Sequence, residues 1–272
     1  MALKPNHDFP DFNILPHHAR GWDDLERLDP AVDLDVAPAA GWYALGKPLF
    51  DYGFALVLLI PGLPLIALAW LAIRISSPGP GFYSQTRLGR DGKPYCIIKI
   101  RTMILASEVN GAEWAKKNDS RITALGRLLR LTHLDELPQL FNVLRGEMSL
   151  VGPRPERPEM IQRKGLNAFV PGYQHRLIVK PGVTGFAQVQ LPADTDLNSV
   201  RRKVAYDFYY IEHESLWLDL RILGATVCKS FFGAGRLRKL FRLPSREDVA
   251  TVFHSKVTLP SPSRQQPSYQ PA

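Results

Sequence analysis

A chain of 272 residues with 45% hydrophobic and 22% charged side chains can build one packed domain with appendages. Its formal charge of +8 is uneven: residues 1–46 carry eight acids and three bases, which leaves +13 on residues 47–272 and directs that body toward an anionic partner such as phosphate groups, nucleic acid or acidic lipid. Two cysteines, Cys96 and Cys228, and seven scattered histidines exclude a disulfide framework and a Cys/His metal cluster; the cysteines read as small buried hydrophobes.

The N-terminus is acidic and proline-containing and lacks the basic start and apolar run of a signal peptide. Residues 1–46 read as a poorly ordered extension. From Tyr52 to Ile73 run 22 residues without a charge, bounded by Asp51 and Arg74. About 20 apolar residues suffice for a helix to span a bilayer, so membrane association is favoured over a buried core helix. Pro61, Gly62 and Pro64 interrupt the run. Each proline removes a backbone donor that lipid cannot replace. Two outcomes stay open on these grounds: a kinked helix crosses with the acidic N-terminus outside, or the chain bends back and both ends lie on the cytoplasmic face.

Phe82–Arg87 and Tyr95–Arg101, separated by Gly89-Arg90-Asp91-Gly92, predict a β-hairpin. Helices are predicted over Ser107–Lys117, Ile122–Leu131, Glu136–Arg145 and Glu156–Leu166. Leu177–Gln190 reads as irregular or stranded, and helices return over Lys203–His213 and Leu216–Phe232. The last is flanked by Arg236, Arg238, Lys239 and Arg242, and fits either an interfacial amphipathic helix or a core helix with a charged end. Residues 243–272 read as a C-terminal tail, disordered from about His254, where Ser, Pro and Gln accumulate.

The chemistry is densest in LDELPQLFNVLRGEMSLVGPRPE, Leu134 to Glu156. Leu137, Leu140, Phe141 and Leu144 fall on one helix face. Pro138 is tolerated only in a first turn, which sets the helix start near Asp135. Asp135 then reads as an N-cap, favourable by about 1 kcal/mol, and Glu136 as a first-turn acid facing the helix dipole. The same geometry permits a second reading. Adjacent carboxylates at a helix N-terminus stay ionised; one can bind a hard cation such as Mg²⁺ together with phosphate oxygens while the other attacks phosphorus. Lys99, Arg101, Arg121, Arg130 and Arg154 supply cations nearby in sequence, Arg154 stiffened between Pro153 and Pro155. Spacing alone leaves both readings standing.

Taken together these stretches resemble the bacterial sugar transferases, the monotopic polyprenyl-phosphate phosphoglycosyl transferases. The resemblance runs from about Lys47 to Phe232. It rests on Lys47 and Asp51, on Pro64, and on SSPGPGFYSQTRLGRDGKPY, IIKIRTM, DSRITALGRLLR, LDELPQLFNVLRGEMSLVGPRPE, VKPGVTGFAQV and YDFYYIEHESLWLDLRIL. It implies an α-rich α+β fold: a re-entrant membrane helix-break-helix over 47–75, with the break at Pro61 and Pro64, then a compact cytosolic catalytic domain over 76–242 with a small β-hairpin and interfacial amphipathic helices.

The resemblance also implies transfer of a sugar-1-phosphate from a UDP-sugar to polyprenyl (undecaprenyl) phosphate. Asp135 would be the nucleophile, releasing UMP and carrying the phosphosugar. Glu136 would assist with Mg²⁺, the metal being shared with Asp135. Arg130 and Arg154 would bind phosphate, with Lys99, Arg101 and Arg121 as weaker candidates. It places the protein at the bacterial inner membrane with its catalytic domain on the cytoplasmic face, at the first membrane step of exopolysaccharide, O-antigen or glycan assembly. Its partners would be UDP-sugar, polyprenyl phosphate and membrane lipid, with no nucleic acid, and a homodimer is left open. This chain departs from the pattern at His133 and Leu63, where the family commonly has serine, and residues 1–46 match nothing in the family core. The competing class is a catalytically inactive membrane-anchored scaffold or binding protein, which predicts no turnover with any UDP-sugar.

Overall fold

The structure is a computed structural model, and it describes residues 33–34, 36–105, 119–232 and 240–258. The helix expected over Ser107–Lys117 lies outside the described residues. So do the basic residues Arg236, Arg238 and Lys239.

The uncharged run lies inside one 35-residue helix, α1 (Trp42–Ser76), long and apolar enough to cross a membrane. The helix continues through Pro61, Gly62 and Pro64, so the expected interruption does not divide it into two elements. A proline deletes one donor and strains one turn, while the hydrogen bonds above and below persist. Packing also carries across the prolines. Asp51, Ala55, Leu59, Gly62, Ile66, Ala69 and Ile73 form one buried stripe with spacings of three and four residues. The rest of the helix surface leaves Leu49, Leu56, Val57, Ile60, Leu63 and Leu68 bare.

A buried polar cluster fastens the start of α1. Lys47 Nζ lies 3.1 Å from Asp51 and 2.8 Å from Asp219, which is fully buried. The hydroxyls of Tyr43 and Tyr210 reach the same carboxylate at 3.1 and 2.8 Å. The Leu150 N–H donates to Asp51 Oδ1 at 3.2 Å.

The hairpin forms as expected. Strands β2 (Phe82–Leu88) and β3 (Pro94–Ile100) pair antiparallel from Phe82 opposite Ile100 to Leu88 opposite Pro94. An earlier two-residue strand, β1 (Asp33–Leu34), falls within the supposed N-terminal extension, as does the first turn of α1. Then come α2 (Ala124–Leu131), whose Thr123 cap accepts from the Gly126 N–H, and α3 (Gln139–Leu144). Strand β4 (Ser149–Val151) pairs in parallel with β5 (Gly182–Thr184), joining two stretches 30 residues apart that carry no strand-length apolar run. Between and after them lie α4 (Pro158–Lys164), α5 (Leu166–Phe169), α6 (Phe186–Gln190), α7 (Leu197–His213) and α8 (Leu216–Phe232).

Three sequence expectations are corrected. Helix α7 starts six residues before Lys203, because Asp196 and Ser199 form a reciprocal capping box. Residues 243–258 are not a tail: α9 (Arg246–Lys256) packs on α7, with Phe253 stacked on Phe208 at 5.5 Å between centroids, and β6 (Val257–Thr258) pairs with β1. Composition averaged over 243–272 hid the local apolar group of Val249, Ala250 and Phe253, all buried. Cys96 is exposed and Cys228 half-buried, so Cys96 is not a core hydrophobe; β3 presents it on the open face of its hairpin. A single core gathers Ile73, Ile100, Val143, Met148, Leu150, Phe186, Phe208 and Ile222, so α1, the hairpin and the helices share one packed interior.

Candidate active site

At the end of α2 the chain reverses through His133, whose φ of 57° is in the left-handed region. Histidine tolerates that region better than most residues. The reversal feeds a 3₁₀ turn, Leu134–Glu136, that carries both acids. Helix α3 begins only at Gln139, with Pro138 at its N-cap position and no side-chain cap. Asp135 is therefore not the capping residue that Pro138 suggested. It sits one turn earlier, 7% exposed, and its carboxylate makes no hydrogen bond or ion pair among the described residues.

That isolation sets its chemistry. Burial, and then the neighbouring charge of Glu136, push the Asp135 carboxyl up to about 6, with Lys99, Arg130 and Arg154 pulling the other way. Glu136 has the opposite fate. Burial would raise it, but Lys99 Nζ at 2.6 Å and Arg154 at 3.3 Å hold it well below the usual carboxylate range. Both cations meet Oε1, and Oε2 has no hydrogen-bond partner among the described residues. Two adjacent carboxyls with separated titrations suit two different roles: Glu136 organises cations and Asp135 stays unengaged.

The fold holds the cations in place. Lys99 comes from β3, aligned by the hairpin register. Arg154 follows β4 in the turn between Pro153 and Pro155. Its backbone is gripped by Arg176, which donates to the Arg154 carbonyl at 3.0 Å and is itself held by buried Asp207 at 2.7 Å. Arg87 donates to the Pro155 carbonyl at 3.1 Å, and the Leu88 N–H donates to the Glu156 carbonyl at 3.2 Å. Under the same turn Gly152 crosses Gly182 so closely that a side-chain carbon on Gly182 would collide with the Gly152 backbone nitrogen. Arg130 Nε donates to Thr102 Oγ1 at 2.8 Å.

All seven residues singled out in the sequence (Asp135, Glu136, Lys99, Arg101, Arg121, Arg130 and Arg154) line one cavity of about 750 Å³. They do not contribute alike. The terminal nitrogens of Arg101 donate to the Pro78 and Ser77 carbonyls at 2.6 and 2.9 Å, securing the segment just after α1. Arg121 forks onto Asp119 and holds that acid down to about 2, chiefly through its hydrogen bonds. His133 lines the cavity as well, and burial lowers its titration, which keeps it neutral at physiological pH. Gln188, Asp194, Lys203 and Lys229 complete the opposite wall. Sequence reasoning missed them because they lie more than 50 residues beyond Glu136 and arrive on α6, α7, α8 and the segment between α6 and α7.

No group of three or more His, Cys, Asp or Glu side chains gathers among the described residues. The available donor set is the Asp135 carboxylate with Glu136 Oε2. Such a pair fits a hard cation that fills its other positions with water or phosphate oxygens, and does not fit a metal cage built wholly from protein.

Comparison with known proteins is consistent with this layout. The family model described as bacterial sugar transferase matches residues 42–233. The UDP-N-acetylgalactosamine-undecaprenyl-phosphate N-acetylgalactosaminephosphotransferase of Aeromonas hydrophila is 41% identical over 193 residues, 71% of this chain and 45% of that protein. The UDP-glucose:undecaprenyl-phosphate glucose-1-phosphate transferase of Escherichia coli (strain K12) is 40% identical over 224 residues, 81% and 47% of the two chains. The protein of the same name from Caulobacter vibrioides is 43% identical over 185 residues, 67% and 68% of the two chains. The chain thus spans about half the length of the first two of these relatives. The matched residues hold α1, the hairpin, the Asp135–Glu136 turn and the Arg154 turn, and by that match the chain belongs to the bacterial sugar transferase family.

Proposed function

We propose that this chain transfers a sugar-1-phosphate from a UDP-sugar to polyprenyl (undecaprenyl) phosphate and releases UMP. The observation that carries the reading is Asp135, a buried carboxylate raised to about 6 and unengaged beside an ion-paired Glu136. At pH 7 to 8 it is ionised yet poorly solvated, which favours attack. In the first step an Asp135 oxygen bonds to the β-phosphorus of the donor, the bond from that phosphorus to the bridging oxygen breaks, and UMP leaves with the electron pair. In the second step a phosphate oxygen of the lipid acceptor bonds to the same phosphorus. The bond to Asp135 then breaks, giving the polyprenyl diphosphosugar and restoring the carboxylate. Lys99, Arg130 and Arg154 would bear on the phosphoryl oxygens. Asp135 and Glu136 Oε2 would hold Mg²⁺, which when bound neutralises diphosphate charge.

The experiment supplies UDP-glucose, UDP-galactose, UDP-N-acetylglucosamine and UDP-N-acetylgalactosamine with Mg²⁺ and no lipid acceptor. The expected result is release of UMP, up to one equivalent per chain, from at least one donor. The peptide bearing Asp135 gains the mass of a hexose or N-acetylhexosamine phosphate. Absence of UMP from every donor, with lipid acceptor also present, overturns the reading.

The attachment we propose is monotopic, at the inner membrane, with both ends of α1 on the cytoplasmic face. The stripe from Asp51 to Ile73 supports it, since the same body grips both halves of the helix. Trp217, Leu220 and Val227 on α8 are exposed apolar residues suited to an interfacial helix. In a background with Cys96 and Cys228 changed to serine, Gly46→Cys should react with a membrane-impermeant thiol reagent only after the inner membrane is opened. Labelling from the periplasmic side of intact spheroplasts would refute it.

A further inference from the structure

The wall of the cavity formed by α6, α7 and the segment between them carries acceptors with nothing to accept. Asp194 lies in that segment, and its side chain is 9% exposed. Its Oδ2 pairs with Lys203, itself 7% exposed, while its Oδ1 is buried without a hydrogen-bond partner. Gln188 on α6 repeats the pattern. Its Nε2 donates to the Val183 carbonyl at 3.3 Å, and its Oε1 is buried and unpartnered. Both residues line the cavity that holds Asp135. A buried acceptor without a donor costs folding free energy, and each such atom calls for an explanation.

The wall is fixed to the phosphate end of the cavity. Lys203 stands one helical turn before Asp207 on α7. Asp207 holds Arg176, and Arg176 holds the carbonyl of Arg154. Charges alternate along this row from Asp194 through Lys203 and Asp207 to Arg176, which reaches the backbone of the proposed phosphate ligand. The chemistry of the acceptors limits what they can receive. Diphosphate oxygens have no proton to donate near neutral pH and would be repelled by a carboxylate. A polyprenyl chain has no donor at all. The hydroxyls of a hexose, the N–H of an N-acetyl group, and the ribose hydroxyls and uracil N–H of the nucleoside do; of these the hexose is joined to the β-phosphate that Arg154, at the far end of this row, would bind.

We infer that Asp194 and Gln188 form the sugar subsite of the cavity, accepting hydrogen bonds from hydroxyl or amide groups of the transferred hexose and selecting among donor sugars. The inference rests on the transferase reading above. Lys203 pairs with the other carboxylate oxygen and orients Asp194, and so acts as a positioning residue.

The test measures UMP release by the full chain in lipid nanodiscs with the four UDP-sugars named above. Asp194→Asn replaces the charged acceptor, and Gln188→Met removes the other acceptor without touching the ion pair. For the preferred donor each variant should raise KM about tenfold and change kcat less than KM, the usual scale for one hydrogen bond to a bound ligand. Preference over the 4-epimer should fall by a similar factor. Inhibition by UMP, which lacks the hexose, should stay the same. An unchanged preference in Gln188→Met and in a folded Asp194→Asn overturns the subsite and leaves the transferase reading intact. A UMP inhibition constant that rises in parallel with KM assigns the acceptors to the nucleoside and overturns the sugar assignment. If Asp194→Asn does not fold, Gln188→Met alone decides. A wild type inactive with all four donors overturns the transferase reading and the subsite with it.

Discussion

Asp135→Asn should lower UMP release by at least about a thousandfold, the scale set by loss of a nucleophile, and should at the same time make the folded chain more stable near neutral pH. The two effects share one origin. Burial and Glu136 raise the Asp135 carboxyl from 3.8 to about 6 in the folded state. A group raised in this way binds its proton more tightly when folded, so its contribution is fully favourable below about pH 4 and is lost as pH climbs through 6. A shift of that size makes the ionised form cost the fold about 3 kcal/mol. Asparagine carries no such charge. Melting temperatures in detergent should therefore favour Asp135→Asn at pH 7.5, with the advantage fading toward pH 4. Retained turnover in a folded Asp135→Asn chain would remove Asp135 as the nucleophile.

The second large effect is expected far from the chemistry. Asp219→Ala should destabilise the fold by about 3–5 kcal/mol, the cost of breaking a buried charge cluster by removing one partner, and lower the melting midpoint by about 10 °C. Asp219 is fully buried and receives Lys47, Tyr43 and Tyr210. Removing it leaves Lys47 with Asp51 alone and reduces the tyrosine hydroxyls to the Val151 carbonyl, 3.0 Å from Tyr210, and to each other at 3.3 Å. The triple change Lys47→Met, Asp51→Asn and Asp219→Leu should cost less than Asp219→Ala, since it removes the three buried charges together and leaves the new amide oxygen at position 51 to accept from the Leu150 N–H. Equal melting temperatures for Asp219→Ala and wild type would show that the cluster does not hold α1 to the body.

The sequence made parts of this architecture readable for physical reasons. The hairpin was legible because Gly89 to Gly92 lie between two β-prone runs, and its strand bounds came out within one residue at each end. Helix α8 was legible from its apolar periodicity and appears with the expected bounds. Strand β4 was not, because three residues cannot show a period; β5 falls in the stretch 177–190 read as irregular or stranded, but its pairing with β4 depends on the close crossing of Gly152 and Gly182, which no spacing discloses. At the site, the acids and cations drew notice through their residue types and their closeness along the chain. What each does was hidden. Only packing reveals that Arg101 is engaged by the Ser77 and Pro78 carbonyls, that Glu136 gathers Lys99 and Arg154, and that Asp135 stands apart. Asp194 and Gln188 belong to no spacing pattern, and their significance rests on oxygens left unmatched by the fold.

The pairing of Lys47 with Asp219 also imposes an order of events during synthesis. The two residues are 172 positions apart. At about 5–20 residues per second, a ribosome that has made Lys47 needs on the order of ten to thirty seconds to make its partner. For the first half of that interval α1 lacks α3 and β4 to cover its stripe, and for all of it Lys47 has only Asp51, one turn away at 3.1 Å, to offset its charge. The short-range pair therefore serves as a provisional neutraliser. The helix can reach the bilayer early with its end charges already matched, and the catalytic body then completes itself against an anchor that is already in place.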